Sequence, residues 1–197
     1  MTAVATLPAI TPEDMLRLPD EKDFELVDGS LVAKRMGTLS SWIGGELFFH
    51  IRTFLETLPL GWLFTADNGF YCFADRPNTL RRPDISFVRH GRLPGDILPE
   101  GYIRIAPDLV VEVISPNDRA SEVNVKVLDF LSAGVPLIWV VDPEARVVYI
   151  HRADGTLAMV REHDELSGES VLPGFRRTVS AIFPKPSPAA AETLPTP

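Results

Sequence analysis

The chain has 197 residues, 45% of them hydrophobic and 23% charged, and carries a formal net charge of −8. That length builds one domain with a proper core and leaves little for a second, and a single cysteine, Cys72, excludes an intrachain disulfide framework and a cysteine-based zinc site. The acidic balance excludes nucleic-acid binding through the overall field, so such binding needs a local basic patch or a metal ion that inverts the charge of a carboxylate site.

No apolar run approaches the length that spans a bilayer. The opening stretch, "MTAVATLPAITPEDM", lacks a basic region followed by an apolar one, so no signal peptide is expected. A cytoplasmic location follows, with Cys72 in "GFYCFAD" a buried, inert thiol.

Residues 1–10 read as a loose arm. "TPEDMLRL" reads as a short helix, with Thr11 as its cap, Pro12 at its first position, and Glu13 and Asp14 at the positive end of its dipole. "FELVDGSLVAKR" is two alternating runs about Asp28-Gly29, a tight hairpin. In "TLSSWIGGELFFHIRTFLETL", Leu39, Trp42, Ile43, Leu47, Ile51, Phe54, Leu55 and Leu58 recur at helical spacing. Gly44 and Gly45 each weaken that helix by about 1 kcal/mol.

"GWLFTADNGFYCFA" reads as strand, turn, strand, and "RRPDISFVR" as a further strand entered through Pro83. Residues 91–107 are a Gly- and Pro-rich surface loop. "DLVVEVI" is a buried strand, "SPNDRASEVNVKVLDFLSAG" a helix ending at Gly134, and "VPLIWVVD" a second buried strand. Strand, helix, strand of these lengths is a crossover, so the two strands are predicted parallel. "RVVYIHR" and "GTLAMVREH" form a hairpin across Asp154-Gly155, "LPGFRRTVSAIF" folds back onto the body, and residues 184–197 are a Pro- and Ala-rich disordered tail. The predicted fold class is α/β (α+β), a mixed sheet with helices on its faces over residues 11–183 and an additional N-terminal hairpin.

One residue breaks the pattern. Glu112 stands inside "LVVEVI", where a carboxylate is costly unless paired, protonated or bound to a metal. Alternation puts Asp108, Val110, Glu112 and Ile114 on one face and Leu109, Val111 and Val113 on the other. Asp84 opens a neighbouring apolar run, and the crossover folds Lys126 back toward the strand that carries Glu112. An aspartate, a glutamate and a lysine brought together suit phosphodiester hydrolysis. The carboxylates hold a divalent cation, and the lysine orients the nucleophile or stabilises developing charge. A buried structural ion pair between Glu112 and Lys126 or an arginine stands beside that reading, as do a turn-forming Asp84 and a surface Lys126 lying along Val123, Val127 and Phe130.

These stretches resemble the PD-(D/E)XK nuclease superfamily, and within it a bacterial restriction-endonuclease-like (Uma-type) branch. "FELVDGSLV" is similar to the branch's opening hairpin, "RRPDISFV" to its first acidic motif, "PDLVVEVISPNDRASEVNVKVLDFLSAGVPLIWVVDP" to its central signature, and "LPGF" with "IF" to its closing element. The resemblance implies a restriction-endonuclease-like fold, Mg2+ or Mn2+ held by Asp84 and Glu112, Lys126 as the catalytic lysine, DNA as substrate and a homodimer. In the superfamily the lysine stands two residues after the glutamate. Here that position is Ile114, and the branch's placement on the helix carries the role to Lys126. The histidine common near the start of the branch's long helix has no counterpart in "GTLSSWIGGEL".

A helix-borne glutamate can complete the metal shell in this superfamily, which adds Glu46 as a candidate, and Glu25 of the hairpin is a second. Arg81 and Arg82, with Arg89 and Arg92, are candidate phosphate contacts or simply an exposed charged loop. The histidines His50, His90, His151 and His163 show no metal-ligand spacing. The competing function is a catalytically inactive module of the same fold that binds DNA or a protein partner.

Overall fold

The computed structural model describes residues 9–35 and 37–185. The arm expected over 1–10 and the tail over 184–197 lie almost wholly outside the described residues. Helix α1 (Pro12–Met15) carries the anticipated cap, with the Thr11 hydroxyl accepting from Asp14 N–H and the Asp14 carboxylate accepting from Thr11 N–H. Strands β1 (Phe24–Val27) and β2 (Ser30–Ala33) pair antiparallel. Their turn residues Asp28 and Gly29 have φ of 50° and 80°. Two positive φ values in a row make the turn whose twist matches the strands it joins, which is why Asp-Gly stands there.

Helix α2 (Thr38–Thr57) leads into β3 (Gly61–Thr65), then β4 (Ile85–Arg89), β5 (Leu109–Val113), α3 (Ala120–Ser132), β6 (Leu137–Asp142), β7 (Val147–Arg152) and β8 (Leu157–Arg161). The six strands from β3 to β8 form one sheet in sequence order, antiparallel throughout except for the parallel β5–β6 pair. A small pair, β9 (Glu165–Ser167) and β10 (Arg176–Thr178), follows.

The alternation along β5 sorts its side chains as its sequence dictates. Leu109, Val111 and Val113 join the larger core with Ile43, Leu47, Ile51 and Leu55 of α2 and with Phe175, Ile182 and Phe183 of the returning C-terminal segment. Val110 faces the other way, into the core under Val127 and Phe130 of α3. Glu112 shares that α3 face. The two helices therefore cover opposite faces of the sheet.

Three expectations need correction. The second strand read in "GFYCFA" does not form. Phe70 makes only isolated bridges, to Arg81 and Ile103, because its aromatic neighbours enter separate cores: Phe70 packs with Val88, Leu93 and Ile103, whereas Phe73 packs under α3. The helix after β5 starts at Ala120 rather than at Ser115, since the Asp118 carboxylate accepts from Ser115 N–H and holds a turn there. The predicted apolar stripe of α2 is narrower than its spacing suggests, for Leu39, Trp42 and Leu58 are exposed while Ile43, Leu47, Ile51 and Leu55 are buried. Leu47→Ala is thus expected to cost about 2–5 kcal/mol in urea unfolding, and Leu39→Ala no more than about 0.5 kcal/mol. Equal losses would contradict this packing. Cys72 is half-buried, and burial pushes its thiol up to about 12, so it stays protonated.

Candidate active site

Parallel pairing of β5 with β6 sets the crossover helix α3 over the face that carries Glu112, and this brings Lys126 back to the strand. Lys126 Nζ lies 2.8 Å from Glu112 Oε2 and 2.8 Å from Glu25 Oε1, and donates to the Arg82 carbonyl at 3.3 Å. Two carboxylates and a carbonyl thus surround the ammonium. Asp84, just ahead of β4, accepts from the Val113 N–H at 2.7 Å, which fixes its carboxylate beside the end of β5. Asp84, Glu112, Lys126 and Glu25 line one cavity of about 360 Å³ together with Lys34 and Arg35. Its remaining wall includes Val27, Val32, Val123 and Val125.

The three carboxylates differ in how far their charge is matched. Burial alone would raise Glu25, but the charges of Lys126 and Arg81 and the hydrogen bonds from Lys126 and Arg82 N–H hold it below its ordinary value. Both its oxygens are taken, Oε1 by Lys126 and Arg82 N–H at 2.7 Å, and Oε2 by Arg81 at 2.9 Å. Burial pushes Glu112 up to about 8; Lys126 opposes that shift, while Asp84 and Glu25 add to it. Burial also raises Asp84. Burial works against the Lys126 ammonium, yet Glu112, Glu25 and Asp84 more than offset it, and its pKa is raised. The cations that keep Glu25 below its ordinary value do not do so for Glu112 or Asp84. Glu112 Oε1 is buried and has no hydrogen-bond partner.

The other sequence candidates sit elsewhere. Glu46 is half-buried on α2, which covers the opposite face of the sheet from Glu112, and it lines neither this cavity nor its neighbour. Arg81 and Arg82 are buried, at 6% and 1% exposure. Arg81 is held by Glu25 and Asp129, and Arg82 by Glu21 and the carbonyls of Phe24 and Asp67. Gripping a phosphate would require breaking those pairs. Arg89 donates to the carbonyls of Ser170 and Val171, and Arg92 pairs with Asp108. Lys34 was missed by sequence reading. It stands in the "AKR" that ends the hairpin, where alternation gives no sign that the chain turns it toward the crossover.

Among the described residues, no three His, Cys, Asp or Glu side chains converge as a ready metal-binding group. What the cavity offers is two carboxylates, Asp84 and Glu112, with an orphaned buried oxygen on the second. That set fits a hard cation such as Mg2+, which commonly takes one or two carboxylates and leaves its other positions to water and substrate phosphate.

A mixed six-stranded sheet between helices, with an aspartate before one strand, a glutamate inside the next and a lysine beside them, defines a restriction-endonuclease-like protein. The chain belongs to the Uma2 family, described as "Putative restriction endonuclease", whose model matches residues 12–180. Its fold is that of the crystal structure of "a putative nuclease belonging to DUF820" from Anabaena variabilis ATCC 29413. The two share 23% identity with a TM-score of 0.74, over 88% of this chain and 97% of that one. No curated protein matches the chain.

Proposed function

We propose that this chain is a divalent-metal-dependent endonuclease that hydrolyses phosphodiester bonds in DNA, with Asp84 and Glu112 as the metal ligands and Lys126 as the catalytic lysine. The observation that carries this reading is the buried, unpartnered Oε1 of Glu112, a residue that lines one cavity together with Asp84. A bound Mg2+ or Mn2+ would neutralise phosphate charge and ease deprotonation of the attacking water.

The chain's own groups do the rest. The Val113 N–H keeps the Asp84 carboxylate turned to the cavity. Lys126 stays protonated, and once Glu112 turns to a cation the N–H it now gives that carboxylate is free to orient the water and meet the charge developing on the phosphate, so it acts as a donor and not as a base. Glu25 has both oxygens saturated and acts as the anchor of that ammonium rather than as a third metal ligand. The acid that pays for burying Lys126 is then present whether or not Glu112 is turned to a cation. Cutting both strands of a duplex calls for two symmetry-related sites, hence a homodimer. No helix among the described residues is long and apolar enough to cross a membrane.

Cleavage of plasmid and of labelled oligonucleotides with Mg2+ or Mn2+ tests the proposal. Turnover by the wild type that falls to background in Asp84→Ala is the expected result, and cleavage surviving Glu112→Ala in a clean preparation would refute the ligand assignment. The rival reading, a nuclease-fold module without activity, draws on the acceptors already gathered around Lys126. It requires the same nucleic-acid binding with and without metal and no cleavage of any substrate.

A further inference from the structure

A second cavity of about 300 Å³ adjoins the first. The two have Lys34, Arg35 and Asp84 in common, so they are halves of one groove meeting at those three residues. Glu112, whose Oε1 is buried and unpartnered, lines the first half. The second runs along the opening turns of α2, past Ser41, Gly44 and Gly45.

Two features of the second half need an explanation. Each glycine costs a helix interior about 1 kcal/mol relative to alanine. Yet a methyl group added at Gly44 or at Gly45 would meet no atom within 4 Å. Packing within the chain does not demand these glycines, and what their missing side chains keep open is the groove. The second feature is Lys34. Its ammonium donates to the Ala66 carbonyl at 2.8 Å, and among the described residues it forms no ion pair, whereas Arg35 is already held by Glu122. Burial holds the Lys34 ammonium below its ordinary value, with Lys126 and Arg82 adding to that and Asp84 and Glu25 opposing it. A half-buried cation with no direct ion pair among the described residues, at a junction between cavities, is placed to meet an anion that arrives with a ligand.

We propose that this groove takes an extended stretch of nucleic-acid strand, with one phosphate over the Asp84–Glu112 half and the adjoining backbone lying over Gly44 and Gly45, and that Lys34 is the positioning residue that grips the phosphate between them. The proposal rests on the nuclease reading of the Asp84–Glu112 site.

The test is fluorescence anisotropy with short labelled oligonucleotides in Ca2+, which holds the backbone without supporting cleavage, alongside thermal unfolding. Gly44→Ala should raise the unfolding midpoint by about 2–4 °C, as expected for a glycine removed from a helix of a chain this size. The same variant should weaken oligonucleotide binding by tenfold or more. Lys34→Gln should weaken it likewise and lower the salt slope by about one. The wild type should gain affinity from a dinucleotide to a tetranucleotide, and both variants should lose that gain. Wild-type affinity in Gly44→Ala and Lys34→Gln, with wild-type cleavage intact, would overturn this inference and leave the nuclease reading standing. A wild type that neither cleaves nor binds metal or oligonucleotide would overturn both.

Discussion

Glu112→Gln is expected to abolish divalent-cation binding in calorimetry while leaving the metal-free fold as stable as the wild type or more so. Glutamine keeps the shape of the side chain and removes its charge. In the metal-free protein that charge is a burden, because burial pushes the carboxyl up to about 8 from an ordinary value of 4.5. A group raised in this way contributes stability that is fully present below the unfolded value and is lost as pH rises through the folded one. Wild-type stability without metal should therefore fall between roughly pH 5 and pH 8.5, by an amount on the order of a few kcal/mol. The Glu112→Gln profile should be flatter over that window. Added Mg2+ should restore the wild type at the alkaline end and do nothing for the variant. Cation binding that survives in Glu112→Gln would leave Glu112 as no more than the structural partner of Lys126.

Much of this site was legible before any coordinates. An acid inside "LVVEVI" has few physical excuses, and the crossover that returns Lys126 to it follows from strand and helix lengths alone. The hairpin, the parallel pair and the terminal fold-back come from local chemistry of the same kind, Asp-Gly turns and runs of β-branched residues. Other features had no such signal. Whether "GFYCFA" forms a strand depends on which cores claim Phe70 and Phe73, and both are built from distant residues: Phe70's from Val88, Leu93 and Ile103, Phe73's from β5, β6 and α3. Leu39 and Trp42 keep helical spacing but stand at the margin of the stripe, off the face that Ser40, Ile43 and Leu47 bury. Arg81 and Arg82 look like an exposed basic pair in "RRPD" because their acidic partners, Glu25, Asp129 and Glu21, lie about 50 to 60 residues away along the chain. Lys34 was hidden for the complementary reason, since its importance comes from the meeting of two cavities that no local pattern encodes.

Lys126→Met should destabilise the metal-free protein by about 3–5 kcal/mol at neutral pH, the cost of leaving buried carboxylates without their cation. Methionine keeps a side chain of similar size without the charge, so the loss reports charge rather than volume. Glu25 keeps Arg81 and the Arg82 N–H and Asp84 keeps the Val113 N–H and the more distant Lys34, whereas Glu112 loses its one partner. The pKa values of Asp84 and Glu112, already raised by burial, must rise further, so the folded variant holds protons that the unfolded chain gives up. Its deficit against the wild type should widen as pH increases and narrow as pH falls toward the ordinary carboxyl range, where protonation removes the charge that Lys126 matches. A divalent cation on Asp84 and Glu112 supplies the missing positive charge. Mg2+ or Mn2+ should accordingly raise the unfolding midpoint of Lys126→Met by more than it raises that of the wild type, and cleavage should stay at background, since no donor then orients the water. That separation of restored fold from lost turnover assigns the lysine its catalytic part. Metal that restored both would reduce Lys126 to a counter-ion, and a variant as stable as the wild type without metal would mean that the Glu112–Lys126 pair is not what keeps the acids in the sheet.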